Sequence, residues 1–200
     1  LPDGAGFITL AAIAAAAEDP ANLPDGMAPG LSALGHNTSD LVTFPNGCQA
    51  AEVEIEPETG HLRLTRYVAV DDYGRLVNPR LTEGQVQGGI AQGIGQAMLE
   101  DIIYDRETGQ LLTGSLMDYA LPRADDLPPI EVILECTPTA ANPLGVKGSG
   151  QAGAIAGPQT IMNAIADALA LRGATTPDMP ATPEKIWRAL RQASLQQERN

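Results

Sequence analysis

Gly145-Val-Lys-Gly-Ser-Gly-Gln-Ala-Gly153 is the stretch on which the fold class turns. Four glycines in nine residues allow positive φ and close approach of backbone to a ligand. Gly148, Gly150 and Gly153 spell GxGxxG, the fingerprint of a doubly wound dinucleotide fold. That fold requires a buried strand directly before the first glycine, and an acid about 20 residues on at the end of a second strand. The approach here, Thr137-Pro-Thr-Ala-Ala-Asn-Pro-Leu144, reads as a loop, and Asp167 falls inside the helix that follows. No GK[ST] triplet follows the glycines, so a phosphate-cradling Walker loop is excluded as well. Two readings stay open for the nine residues alone: a tight turn that packs a helix, or a loop whose free N–H groups meet a polar ligand. The helix is predicted from Pro158, which suits a first helical position, with Ile161, Met162, Ile165 and Leu169 on one face and an end near Leu171.

Working outward, Ala51-Glu-Val-Glu-Ile-Glu alternates with period two, Pro57 to Gly60 makes a turn, and His61 to Val70 returns. The pair predicts a hairpin with one buried and one wet face. Asp71-Asp-Tyr-Gly74 closes it, either as an ordinary turn or as a place for a cation. A helix over Leu81 to Glu100 carries five glycines, each costing about 1 kcal/mol relative to alanine. Close approach of another backbone, or of a flat ligand, would offset that cost. Gln85, Gln92 and Gln96 share one face of this helix, and an amide both donates and accepts hydrogen bonds. The alternative is helix packing with glutamines in solvent.

A second hairpin is expected over Ile102 to Gly114 around Arg106-Glu-Thr-Gly109, and a further strand over Ile130 to Cys136. Upstream, Ile8 to Glu18 is alanine-rich with Thr9 as a candidate N-cap, and residues 19–47 read as a long wrapping loop. Downstream, Thr182 is expected to cap a terminal helix with Pro183 in its first turn and Ile186, Leu190 and Ala193 along one side. Trp187 reads as a packing anchor. The fold class is therefore α+β, antiparallel hairpins packed with helices. Residues 1–47 form a peripheral helix and loop, and 48–200 a core with a terminal helix.

Composition narrows the function. The formal charge of −13 speaks against nucleic acid and anionic membrane surfaces as partners. No apolar run is long enough to span a bilayer, and a cytoplasmic location is expected. Cys48, Cys136, His36 and His61 show no metal-ligand spacing, so no protein-borne metal site is expected. The leucine start suggests part of a longer polypeptide.

Four segments in order carry a resemblance: Thr43-Phe-Pro-Asn-Gly with Ala51-Glu-Val-Glu-Ile, Glu83-Gly-Gln-Val-Gln-Gly-Gly-Ile-Ala-Gln-Gly-Ile-Gly-Gln-Ala, Met117-Asp-Tyr-Ala-Leu-Pro-Arg, and Asn142-Pro-Leu-Gly-Val-Lys-Gly-Ser-Gly. Together they resemble the C-terminal part of the molybdopterin-binding large subunit of the xanthine dehydrogenase, aldehyde oxidase and aerobic carbon monoxide dehydrogenase family. The likeness runs from about His36 to Leu190. It implies a molybdenum–molybdopterin cofactor, in bacterial members usually the cytosine dinucleotide form, with the metal held by pterin sulfurs. It implies partners: the rest of the molybdenum subunit, iron–sulfur and FAD subunits, and a small carbonyl, heteroaromatic or carbon monoxide-like substrate oxidised with water as oxygen source. By the same resemblance Gln85 touches the pterin, and Lys147, Gly148, Ser149 and Gly150 lie beside the metal. In the family a glutamate follows the loop and acts as general base. Here that position is Gln151, and an amide cannot take a proton near neutrality. A hydroxylase using another base, a non-catalytic cofactor-binding or assembly paralogue, and a damaged enzyme are the readings this leaves.

Overall fold

The computed structural model describes residues 6–38 and 41–199, and the chain divides into two compact units, residues 1–40 and 41–200. In the first unit, α1 spans Leu10–Ala17. Thr9 caps it as expected, its hydroxyl accepting from the Ala12 N–H at 3.2 Å. Beyond a single 3-10 turn at Pro20–Asn22, the described remainder of this unit is loop.

The second unit holds the expected hairpin, β1 (Asn46–Ile55) and β2 (Leu62–Asp72), paired antiparallel with Ala51 opposite Tyr67. Leu62, Leu64, Tyr67 and Ala69 point into the core, while Glu54 and Arg63 pair in solvent. β1 begins at Asn46 rather than Ala51, because its backbone goes on pairing with β2 where its side chains no longer alternate. The turn holds Gly60 at φ +70°, and a Cβ there would strike the Pro183 carbonyl at the head of the terminal helix.

α2 runs from Pro79 to Ile94, with Asn78 Oδ1 accepting from the Leu81 N–H at 3.1 Å. It widens into one π turn, Gly95–Leu99, before the expected end at Glu100. α3 covers Ala152–Ala170, starting ahead of Pro158. Pro158 is not a first-turn residue but an interior one, which removes a backbone hydrogen bond and ordinarily costs about 3 kcal/mol. The helix continues through it because Gly153, Gly157 and Pro158 are the residues by which α3 meets α2. Backbone approaches backbone there: a Cβ on Gly89 would stand 2.9 Å from Ala154 N, and one on Gly93 3.0 Å from the Gly157 Cα. The glycine-rich helix is thus explained, in part, by a neighbouring helix.

The expected α+β class holds, and the direction of the third strand is a detail that the hairpin pattern does not encode. β3 (Ile130–Leu134) pairs with β2 in parallel, so the sheet is mixed, with order β1-β2-β3. The second hairpin keeps its turn but only one bridge, Tyr104 to Leu111. Ile102, Ile103, Tyr104 and Leu112 stay exposed, and strands without a face to bury do not extend. α4 (Pro183–Gln197) closes the unit, capped by Thr182 and burying Ile186, Leu190 and Ala193. Trp187 packs at the hairpin turn, with the Arg191 guanidinium 5.4 Å from its ring centre. Helices on a small mixed sheet make an α+β arrangement.

Candidate functional site

The glycine loop is stitched to the end of β2. Lys147 N donates to Tyr73 O at 2.9 Å, and Arg75 N donates to Gly145 O at 2.8 Å. Gly74 and Gly145 both take positive φ, +65° and +69°, and a Cβ on Gly74 would strike the Gly145 carbonyl. Asn142 holds the loop from inside: its Nδ2 donates to Val146 O at 2.9 Å and its Oδ1 accepts from Val146 N at 3.1 Å. The asparagine stands in the Asn-Pro-Leu-Gly motif, yet nothing in the sequence separates a staple from a ligand contact.

Lys147 does not reach out of the loop. Its Nζ donates to Asp72 Oδ2 at 2.6 Å, with both side chains largely buried at 14% and 12% exposure. Asp72 Oδ1 also accepts from Gly74 N at 2.8 Å and Thr137 N at 3.0 Å. These hydrogen bonds, the Lys147 bond first, lower the Asp72 carboxyl from 3.8 to about 2. The Asp71-Asp72 pair is therefore neither an exposed turn nor a cation site. Asp72 anchors the loop, and Asp71 accepts from the Tyr73 hydroxyl at 2.8 Å. Among the described residues no group of His, Cys, Asp and Glu is placed to hold a metal ion.

With the lysine neutralised, the loop offers backbone. Gly148 and Gly150 are exposed, and nothing lies within 4 Å of where a Cβ on either would stand. Ser149 between them is half-buried. Gln151 begins α3, exposed and without a side-chain cap bond, so the first N–H groups of that helix have no intrahelical acceptor.

Gln85, 65 residues upstream, comes to this loop: its Nε2 donates to Gly150 O at 2.5 Å. One donor is committed there, leaving a second N–H and the Oε1 acceptor for another partner. Gln92, further along α2, and Gln96, in the π turn after it, are exposed. Gly84 and Gly88, flanking Gln85, also have nothing within 4 Å of a Cβ. Two of the α2 glycines thus face α3 and two face open space. The four open glycines and one amide form a low, polar surface that suits a flat heterocycle whose metal is held by its own sulfurs. A molybdopterin fits these residues. A cavity of about 570 Å3 between Leu62–Thr65, Met98 and Leu127–Pro129 contains none of them and is a separate feature.

The molybdopterin cofactor-binding domain family matches residues 4–128. The nicotine 6-hydroxylase large subunit of Paenarthrobacter nicotinovorans is 39% identical over 171 residues, 86% of this chain and 21% of that protein. The carbon monoxide dehydrogenase large chain of Hydrogenophaga pseudoflava is 36% identical over 172 residues, again 86% of this chain and 21% of that one. The crystal structure of quinoline 2-oxidoreductase from Pseudomonas putida 86 superposes with a TM-score of 0.79 at 41% identity, covering 90% of this chain and 23% of that chain. The chain therefore spans about a fifth of the length of the curated relatives it matches. No helix among the described residues is long and apolar enough to cross a membrane. By sequence and by fold, the chain belongs to the molybdopterin cofactor-binding domain family of molybdenum oxidoreductases.

Proposed function

We propose that the chain forms one wall of the cofactor cleft in a molybdenum-dependent oxidoreductase that oxidises a small carbonyl, heteroaromatic or carbon monoxide-like substrate with water as oxygen source. The observation that carries this reading is the hydrogen bond from Gln85 to the Gly150 carbonyl. It joins the glutamine helix and the glycine loop into one open surface. The cofactor is read as the cytosine dinucleotide form, and the partners as the rest of the molybdenum subunit with iron–sulfur and FAD subunits. When bound, the cofactor supplies the metal and the two-electron redox chemistry. This chain's residues bind and orient: Gln85 offers its remaining amide groups, and Gly148 to Gly150 and the first turn of α3 offer N–H donors. Lys147 and Asp72 hold the loop in place. Molybdenum analysis of the purified assembled protein, with pterin fluorescence after oxidation, tests the reading, and its absence would refute it.

Gln85→Ala should lower cofactor occupancy, since it frees the Gly150 carbonyl and removes the amide. Where the bound cofactor buries the group left unpaired, a penalty of about 1–3 kcal/mol is expected. Unchanged molybdenum content in the assembled variant would reduce Gln85 to a loop tie alone.

Gln151 supports a second reading, a cofactor-binding paralogue without hydroxylase activity. The amide is isosteric with a carboxylate but takes no proton, and a positioned general base commonly contributes about 10²–10⁴-fold. In a working hydroxylase, Gln151→Glu should raise the rate of water-dependent hydroxylation without altering molybdenum content. Assays of both proteins on aldehydes, N-heterocycles and carbon monoxide decide this. A slower variant would mean that the residue serves a different chemistry.

A further inference from the structure

β1 is an outer strand of the sheet: β2 lies on one side of it, and among the described residues no strand pairs with the other. Two bonds fix the direction of its backbone groups. Glu52 O accepts from the Thr65 hydroxyl at 3.0 Å, and Glu56 N donates to His61 O at 2.9 Å. The even-numbered residues therefore turn their N–H and C=O groups toward β2, and those of Gln49, Ala51, Val53 and Ile55 point outward. At the one register shift the extra residue, Thr65, belongs to β2, so the free edge of β1 stays regular along its length. A Cβ on Gly47 would strike the Asp71 carboxylate, and the glycine lets β1 lie against β2 to its start. The opposite edge of the sheet is guarded. β3 has only five residues and follows Pro128 and Pro129, which have no N–H to offer a partner.

The layer beneath β1 is incomplete on its outer side. Leu62, Leu64, Tyr67 and Ala69 are buried, whereas the residues opposite them, Ile55, Val53, Ala51 and Gln49, are only half-buried. A cavity of about 190 Å3 lies between the start of β1, Asp71 and the first turns of α3. The wet face of the sheet carries charges that alternate from strand to strand. β1 contributes Glu52 and Glu54, β2 Arg63 and Arg66, and β3 Glu131. Glu54 pairs with Arg63, and Arg66 turns to Glu131 at 3.3 Å. Glu52 stands opposite Arg66 in the ladder but has no ion-pair partner among the described residues.

We infer that an extended segment with Lys or Arg at every second position adds to the free edge of β1, and that it comes from the part of the subunit outside this chain. The inference rests on the reading of this chain as one wall of a larger subunit's cofactor cleft. Main-chain bonds to Ala51 and Val53 make the attachment, and the pleat sorts the side chains of the added strand. Its basic residues stand beside Glu52 and Glu54 and continue the alternation, while the residues between them cover Ala51, Val53 and Ile55. A second copy of this chain does not fit. Two β1 edges paired with one another would set glutamates against glutamates, and like charges directly opposite destabilise a ladder. The chain spans about a fifth of its relatives, so most of the subunit in those proteins lies outside the matched segment. Because β2 ends at Asp72, which anchors the glycine loop through Lys147, the added strand ties the sheet that carries this loop to the rest of the subunit.

Hydrogen exchange at single-residue resolution, on the assembled protein that carries this chain, reads the edge directly. Ala51 and Val53 should exchange as slowly as Glu52 and Glu54, whose N–H groups are held by β2. A bare edge would instead let the two outward amides exchange about 10²-fold faster than their neighbours, and that result overturns the inference. A benzophenone side chain introduced at Ala50, on the wet face beside Glu52, identifies the occupant. The photo-cross-linked peptide should come from the same polypeptide and carry Lys or Arg at alternate positions. A cross-link to a second copy, to a separate subunit, or only within residues 41–200 overturns the inference. Ala51→Pro removes one outward N–H and none that faces β2. It should speed exchange at Val53 and leave the Val68 and Val70 amides as slow as before. Should that variant not assemble, the exchange pattern of the wild type decides by itself. Molybdenum content of the same sample separates the two readings. A loaded protein with a bare edge overturns this inference alone, and an unloaded protein with the expected protection and cross-link refutes the oxidoreductase reading alone.

Discussion

Asp72→Asn is expected to destabilise the chain by about 3 kcal/mol, and Lys147→Met by a similar amount. Each variant breaks a mostly buried pair by removing one partner and leaves a charge without its counter-ion, a change that typically costs about 3–5 kcal/mol. Asparagine keeps an Oδ1 acceptor for the Gly74 and Thr137 N–H groups, so the loss isolates the charge pair from those two bonds. The double variant Asp72→Asn with Lys147→Met should recover most of the loss, since no charge is then buried alone. Urea unfolding of the four proteins measures this, and a double variant as unstable as the sum of the singles would reject the pairing argument. The pH dependence has a definite sign. The folded carboxyl lies at about 2 against an ordinary 3.8, so its contribution is fully present above pH 4. It is lost as pH falls through 2, about 2 kcal/mol in all. Asp72→Asn should flatten that acid limb of the stability curve.

Gly153→Ala should separate α2 from α3. The new methyl would strike the Val86 carbonyl and stand 2.8 Å from Ile90 N, and neither backbone group can turn away. Overpacking of this kind costs about 1–3 kcal/mol, and the upper end is expected where the obstacle is main chain. Gly88→Ala gives the opposite sign. Nothing lies within 4 Å of its Cβ, and alanine gains about 1 kcal/mol over glycine in a helix. If the open face of α2 holds the cofactor, the same variant should lower molybdenum content in the assembled protein. A stabilised chain with full molybdenum content would show that this face touches nothing. A Gly153→Ala chain as stable as wild type would refute the close helix approach.

The site was partly legible from sequence. The Glu83–Ala97 and Asn142–Gly150 segments are two of the four that together carried the family resemblance, and they face one another through Gln85 and Gly150. The resemblance puts the Lys147–Gly150 segment beside the cofactor, and what sequence did not show is that the Lys147 ammonium pairs with Asp72, 75 residues away. Asn142 and Gly47 stood inside recognised motifs without a role, because a staple and a space-making glycine look the same in sequence as a ligand contact.

What the sequence by itself determined is whatever a local period or a cap encodes. The alternation of β1 with β2 required a two-faced hairpin, and Thr9 and Thr182 with Pro183 set helix starts, each through contacts a few residues apart. Only the tertiary structure decided what depends on distant partners. β3 joined β2 in parallel, since five apolar-rich residues carry no mark of strand direction. α3 ran through Pro158, since the glycine contact with α2 outweighs one missing backbone bond. The two aspartates parted company, Asp72 to a lysine and Asp71 to a tyrosine and a cavity, because which charge meets which is set by how the chain closes on itself.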